Sequence, residues 1–493
     1  MVFSSAPFIF IFLPVVFLAY SLIPGLKAKN VLLTLASLFF YAYGEPVFVL
    51  VMLASVVLNY FFARFIAGSE SKPFQKGVLA LSVICNLALI GVFKYAGFFV
   101  ETLNGVTGLG IRVPEIALPI GISFFTFQAL SYVIDVYRDP STVQRNFGKV
   151  LLYISFFPQL IAGPIVKYHD IAPYLEHRIT DIDEISAGIQ RFVTGLAKKM
   201  FLANTMGAVS DMMFGLAESD MSAGTAWIGA ICYTLQIFFD FSGYSDMAIG
   251  IGHMFGFTIK ENFDHPYIST TIKEFWRRWH ISLSTWFKEY LYIPMGGSRA
   301  GAARTEVNKL IVFFATGLWH GASWNFVIWG MIHGTAIVIE DIIGRATGRG
   351  PKTHKTSGET VTLKTSGDSV TVKTRSRFSL AKFAGWLYTI LIVILAFVLF
   401  RADTLSDGLL MYKEMFTGFG GTPAAFNTCM EALSPYNIAI FAAALFCSVP
   451  HPKLTPKLRE HGALSYIITI VLFALCILEI AGASFNPFIY FRF

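Results

Sequence analysis

Charge is scarce in these 493 residues: only 14% are Asp, Glu, Lys or Arg, against 55% hydrophobic and 16% aromatic. Mean hydropathy is +0.61. Ordinary soluble domains carry about 25% charged residues, so the shortage excludes that class and points to a polytopic membrane protein. Cysteine is also thin. Cys85, Cys232, Cys429, Cys447 and Cys476 are scattered, mostly within apolar runs, with no CxxC or zinc-finger spacing. That excludes a cysteine-built metal site and leaves five buried thiols as the reading. A GxxxxGK[ST] signature is missing, which removes a self-powered pump. The opening "MVFSSAPFIFIFLPVVFLAYSLIPG" has no Lys or Arg ahead of its apolar run, so it lacks the basic flank of a cleaved signal peptide and is expected to stay as the first span.

What is present is apolar sequence in blocks. A helical span needs about 20 mostly apolar residues. Candidates occupy 7–24, 31–43, 47–66, 78–100, 116–136, 150–166, 226–257, 310–319, 326–343, 383–400, 438–449 and 464–481, roughly a dozen membrane-embedded elements by that criterion. Those at 31–43 and 310–319 are too short to cross alone and are expected to be tilted, re-entrant or buried among other helices. The net charge of +7 follows from the positive-inside rule rather than from nucleic-acid binding. Lys273, Arg277, Arg278, Lys288, Arg299 and Arg304 mark a basic face that should be cytoplasmic. A polar insertion at 344–379 holds the tandem repeat KTSGETVTL and KTSGDSVTV. Its alternating Val and Thr fit a small hairpin as well as they fit a disordered loop. If basic loops are cytoplasmic, this one is too, and the chain is otherwise a single membrane domain.

Three stretches carry chemistry. In "YISTTIKEFWRRWHISLSTWFKEYL", Trp276, Trp279, His280, Leu283, Trp286, Phe287 and Tyr290 follow the spacing of one helix face, while Arg277, Arg278 and Lys288 fall away from it. This predicts an amphipathic helix at the membrane interface, its tryptophans at headgroup depth. In "YTLQIFFDFSGYSDMAIGIGHMFGF", Asp240 and Asp246 lie in apolar surroundings, where each ionisable group costs at least ~2.5 kcal/mol and so needs a partner or a wet cavity. Gln236, Asp240 and Tyr244 share a face suited to a polar path, or to interhelical hydrogen bonds. In "FFATGLWHGASWNFVIWGMIHG", His320 stands between small residues that leave room near its ring for another molecule, and His333 lies one turn from Trp329. For His333 a packed, hydrogen-bonded ring is the plainer reading. His320, with Trp319, Gly321 and Asn325 beside it, is the better candidate for chemistry.

These stretches resemble the membrane-bound O-acyltransferases, in particular the bacterial alginate O-acetylation branch. "LPIGISFFTFQALSYVIDVYR", "SFFPQLIAGPIVKY" and the terminal "NPFIYFRF" extend the resemblance over nearly the whole chain; the repeat-bearing insertion is the chief departure. The resemblance implies an all-α polytopic fold, a ring of helices around a central tunnel entered from both sides. It implies His320 as the catalytic residue, His280 near the acyl donor, acetyl-CoA as the donor substrate with no tightly bound cofactor, and a location in the bacterial cytoplasmic membrane. It also implies a periplasmic SGNH-type esterase or transferase as partner, within a polysaccharide-export machinery. Asp240, Tyr244, Trp319, Asn325, Arg277, Arg278 and Lys288 are the expected substrate-side and donor-side residues. Alternatives remain: a secondary transporter or flippase in which Asp240, Asp246, His320 and His333 relay protons, acyl transfer to another glycan such as peptidoglycan, cellulose or teichoic acid, or a scaffold for export.

Overall fold

The computed structural model describes residues 1–348, 360–365, 368–373, 379–451, 462–482 and 488–489. Within these residues the chain is helical, apart from an antiparallel hairpin that pairs Thr360–Thr365 with Asp368–Lys373. In a bilayer, helix is how a segment satisfies its own backbone, and the hairpin lies in the polar insertion, where that constraint does not apply.

Seven helices position the site. They are α1 (Ile182–Ala197), α2 (Ala223–Met254), α3 (Ile272–Arg278), α4 (Ile281–Phe287), α5 (Ala302–His320), α6 (Trp324–Ala346) and α7 (Leu380–Arg401). The axis of the molecule is α2. It starts at a reciprocal cap, in which the Ser222 hydroxyl accepts from the Thr225 amide and the Thr225 hydroxyl accepts from the Ser222 amide. From Cys232 to Gly252 every residue except Gln236 is buried, so this helix is enclosed by protein on all sides.

Glycine sets how closely α1 and α2 approach. A Cβ on Gly195 would lie 2.5 Å from the Gly243 carbonyl oxygen, and one on Gly188 would lie 2.6 Å from that of Gly250. Both pairs are seven residues apart in sequence, so two contact points fall on one seam, the small-residue packing that lets helix backbones touch. The α5–α6 pair repeats the device. A Cβ on Gly317 would meet the Phe326 carbonyl oxygen at 2.4 Å, and one on Gly330 would meet that of Phe313 at 2.3 Å.

Among the described residues, five helical segments are long and apolar enough to cross a membrane: Phe48–Ala67, Lys72–Thr107, α6, α7 and Gly462–Gly482. A sixth is broken, Pro423–Ala432 meeting Pro435–Cys447 at 63°. The protein is therefore a multi-pass, all-helical membrane protein, with fewer full-length spans than the dozen apolar blocks suggest. The shortfall has a physical cause: several blocks sit in helices that carry charge or are enclosed by other helices, as α2 is. Of the cysteines, Cys232 and Cys476 are buried, Cys85 and Cys429 half-buried, and Cys447 exposed.

The single amphipathic helix expected across Tyr267 to Leu291 is broken. Trp279 is extended, and His280 adopts φ 45°, ψ 55° in the left-handed region, which splits the stretch into α3 and α4. Nor do its tryptophans sit at headgroup depth: Trp276, Trp279 and Trp286 are all buried inside the protein. The periodicity was real, but the face it marks packs on helices rather than on lipid.

Candidate active site

The α5–α6 hairpin carries His320 at its tip. Its other end is fixed by ion pairs, Arg345 with Glu306 at 2.7 Å and Lys309 with both Glu306 and Asp341. On α5, which ends at His320, the charged residues Glu306 and Lys309 lie about 21 and 17 Å along the helix axis from His320. Lys273 reaches the same cluster through Asp341 at 2.7 Å. The Glu340 carboxylate accepts the backbone amides of Ile272 and Lys273 at 2.5 and 3.1 Å, capping the start of α3. The helix leading into His280 is thus anchored to the helix that follows His320.

His320 is buried, its ring edge-on to Trp319, Trp329 and Phe400 with centroids 4.9, 5.0 and 5.1 Å away. Trp319 in turn approaches the His280 ring, with centroids 5.9 Å apart. It also packs against Phe124 and Phe127, and Phe127 stacks on Trp286 at 3.8 Å. Trp319 is thus an aromatic ring in contact with both His280 and His320. The small residues flanking His320 serve packing more than the expected open space: a Cβ on Gly321 would fall 2.1 Å from the Phe326 ring, so that ring fills the place.

Open space does exist one step further along the chain. A chamber of about 410 Å³ is lined by Gly321, Ser323, Asn325, Phe400, Lys94 and Asp403, among others. Asn325 forms part of its wall, with its amide donating to the Ala402 carbonyl at 2.7 Å and more weakly to that of Leu399. Those bonds tie the start of α6 to the end of α7 and spend the amide's donors on the scaffold.

Asn262, which no sequence signal marked, holds His280. Its backbone carbonyl accepts the Ile281 amide at 2.9 Å and its side-chain oxygen accepts the Ser282 amide at 3.1 Å. That same oxygen lies 3.2 Å from His280 Nδ1. An oxygen already receiving a backbone N–H can only accept, so Nδ1 carries the proton and Nε2 is the basic nitrogen. The left-handed His280 backbone costs about 1–3 kcal/mol on its own and persists because Asn262 grips both following amides.

The two membrane aspartates have cationic partners, also unmarked by spacing. Asp240 pairs with Lys199 at 2.5 Å, both nearly fully buried, and accepts the Ile489 amide at 2.8 Å. Asp246 pairs with Lys198 and Arg191, each at 2.6 Å. Tyr244 packs between Phe3 and Phe488. Asp240 and Tyr244 are thus packed among other side chains of the interior, and Ile489, whose amide Asp240 accepts, lines the chamber. His333 is enclosed by Phe275, Trp276 and Trp329. Arg277 and Lys288 are exposed, while Arg278 is drawn to Asp264 at 2.9 Å and to Glu274.

The sequence profile of the membrane-bound O-acyltransferase family matches residues 122–355, a stretch that contains His280 and His320. The chain is 37% identical to the "Probable alginate O-acetylase AlgI" of Azotobacter vinelandii and 37% identical to that of Pseudomonas putida, with the whole of each chain covered. It is 32% identical to the "Peptidoglycan O-acetyltransferase" of Helicobacter pylori, covering 100% of this chain and 98% of that one. Sharing that profile and these full-length relatives, the chain belongs to the membrane-bound O-acyltransferase family, in its alginate O-acetylase-like branch, and is an O-acyltransferase.

Proposed function

We propose that the protein takes acetyl groups from a cytoplasmic donor, acetyl-CoA, and passes them through the membrane for O-acetylation of an extracytoplasmic polysaccharide such as alginate. The observation that carries this reading is the pair of buried histidines that both contact Trp319, with a chamber opening at Gly321, the residue after one of them. An acetyl thioester is already activated, so transfer needs a hydroxyl brought close and its proton removed. His320 takes the proton of the acceptor hydroxyl as its oxygen attacks the acetyl carbonyl. The carbon–sulfur bond then breaks, and the departing thiolate takes up a proton. His280, presenting Nε2, orients the donor. Exposed Arg277 and Lys288 suit the phosphates of coenzyme A, given a cytoplasmic basic face.

In this reading the chain sits in the bacterial cytoplasmic membrane, its helices ring a tunnel from the basic face to the chamber, and a periplasmic SGNH-type enzyme of the export machinery collects the acetyl group. The relatives named for alginate and peptidoglycan O-acetylation support a polysaccharide as final acceptor. A proton-relay carrier is less well supported, because Asp240 and Asp246 are committed to Lys199 and to Lys198 with Arg191. The test is acetyl-CoA-dependent thiol release by protein in liposomes, supplied with polysaccharide and partner, comparing wild type with His320→Ala at matched folded amounts. Loss of a general base should slow turnover by about 10²- to 10⁴-fold; equal rates would remove His320 from the reaction.

A further inference from the structure

An ionisable side chain inside a membrane segment is costly enough to demand a reason. Lys94 is such a residue, 22 positions into the apolar Lys72–Thr107 segment. No carboxylate lies within ion-pair distance of it among the described residues. What it meets instead is the end of the helix that carries His320. The Lys94 ammonium donates to the Trp319 carbonyl at 2.6 Å and to the His320 carbonyl at 3.2 Å. The neighbouring Tyr95 hydroxyl donates to the Leu318 carbonyl at 2.5 Å. Three successive carbonyls at the end of α5, which have no partner within their own helix, are thus held by two adjacent side chains from a different span.

Local backbone supports the arrangement. Gly91–Tyr95 forms a π-helical turn between two α-helical stretches, the kind of one-residue insertion that re-aims side chains and recurs at functional sites. A cation at a helix C-terminus is also electrostatically favoured, since the helix dipole is negative there. Two of the three ammonium protons are occupied by α5. Lys94 also lines the chamber beside Gly321, and the other cation there, Arg401, is paired with Asp211 at 2.6 Å.

We infer that Lys94 is a positioning residue for His320: it clamps the last turn of α5, fixes where the imidazole stands relative to the chamber, and brings an ammonium without a carboxylate partner to the chamber wall. Tyr95 completes the clamp. The inference rests on the reading of His320 as the base, and the experiment separates the two.

Thiol release from acetyl-CoA is measured in liposomes with polysaccharide and partner for wild type, Lys94→Met, Lys94→Arg, Tyr95→Phe and His320→Ala, each at matched monodisperse protein. Misplacing a reacting group by about 1 Å costs about 10²-fold, so Lys94→Met should lose about that factor in kcat while the KM for acetyl-CoA stays within about threefold. Tyr95→Phe should lose about tenfold, and Lys94→Arg should recover at least about tenfold of the Lys94→Met loss by restoring donors to the carbonyls. Full activity of Lys94→Met would overturn the inference. So would a rise in KM with kcat unchanged, or an equal loss in both Lys94 variants. If His320→Ala alone keeps full activity, the base assignment fails whatever Lys94 does.

Discussion

At the scale of single residues, the two histidines of the site are held by different means. Aromatic rings surround the His320 imidazole while Lys94 holds its carbonyl, whereas a polar grip from Asn262 holds the His280 ring. Substituting Asn262→Ala removes the acceptor that fixes the His280 tautomer and frees the Ser282 amide. Support residues of this kind are worth about 10- to 100-fold, so acyl transfer should fall by that order and Asn262→Asp should retain more of it; kinetics of the two variants side by side check this. The Lys199–Asp240 pair makes a different prediction. Removing one partner from a buried pair costs about 3–5 kcal/mol, so Asp240→Leu should lower the thermal midpoint in detergent sharply, and the double variant with Lys199→Met should regain more than half of the loss. His280 and His320 were legible because each sits in an aromatic, apolar run where a titratable ring is conspicuous. Asn262 was not, because ENFDHP has no period, and Lys94 was not, because one lysine in an apolar run looks like a side chain reaching for the interface.

At the scale of helices, contact is decided by what glycine leaves out. The Cβ introduced by Gly195→Val would meet the backbone of Gly243 and Met247, which cannot rotate away as a side chain would. Overpacking of this kind costs about 1–3 kcal/mol, occasionally more; Gly317→Val should match it in stability loss and in addition lose activity, because its collision with Phe326 moves the hairpin tip. Thermal unfolding together with thiol release distinguishes the two. The sequence pattern foretold the apolar faces of these helices but not their partners, since periodicity reports that a face is covered and not by what. The same limit explains the broken helix at His280: aromatic spacing of three and four runs through Trp279 unchanged, while the chain turns there because the 262–264 segment holds both sides, the Asp264 amide donating to the Arg278 carbonyl and Asn262 accepting the Ile281 and Ser282 amides.

At the scale of the whole molecule, the membrane class and helical content followed directly from composition, because burying apolar surface without water leaves few other architectures. The number of spans did not, since enclosed helices such as α2 are as apolar as lipid-facing ones. The repeat insertion lies between α6 and α7, joining them at the ends remote from His320. Replacing 350–378 by a short Gly-Ser linker should therefore keep acyl transfer within about twofold of wild type; a loss beyond about tenfold would assign the insertion a part in the reaction.

The amide of Ile489 reaches back to a carboxylate at the middle of α2, and Phe488 covers Lys199 and Tyr244. During biogenesis, residues up to Ile489 must leave the ribosome before that carboxylate receives this donor. The middle of α2 is consequently completed late: its carboxylate, already paired with Lys199, waits for the Ile489 amide to arrive. A chain stopped shortly before Phe488 should reach the bilayer with its helices formed, yet be recognised by quality-control proteases as unfinished.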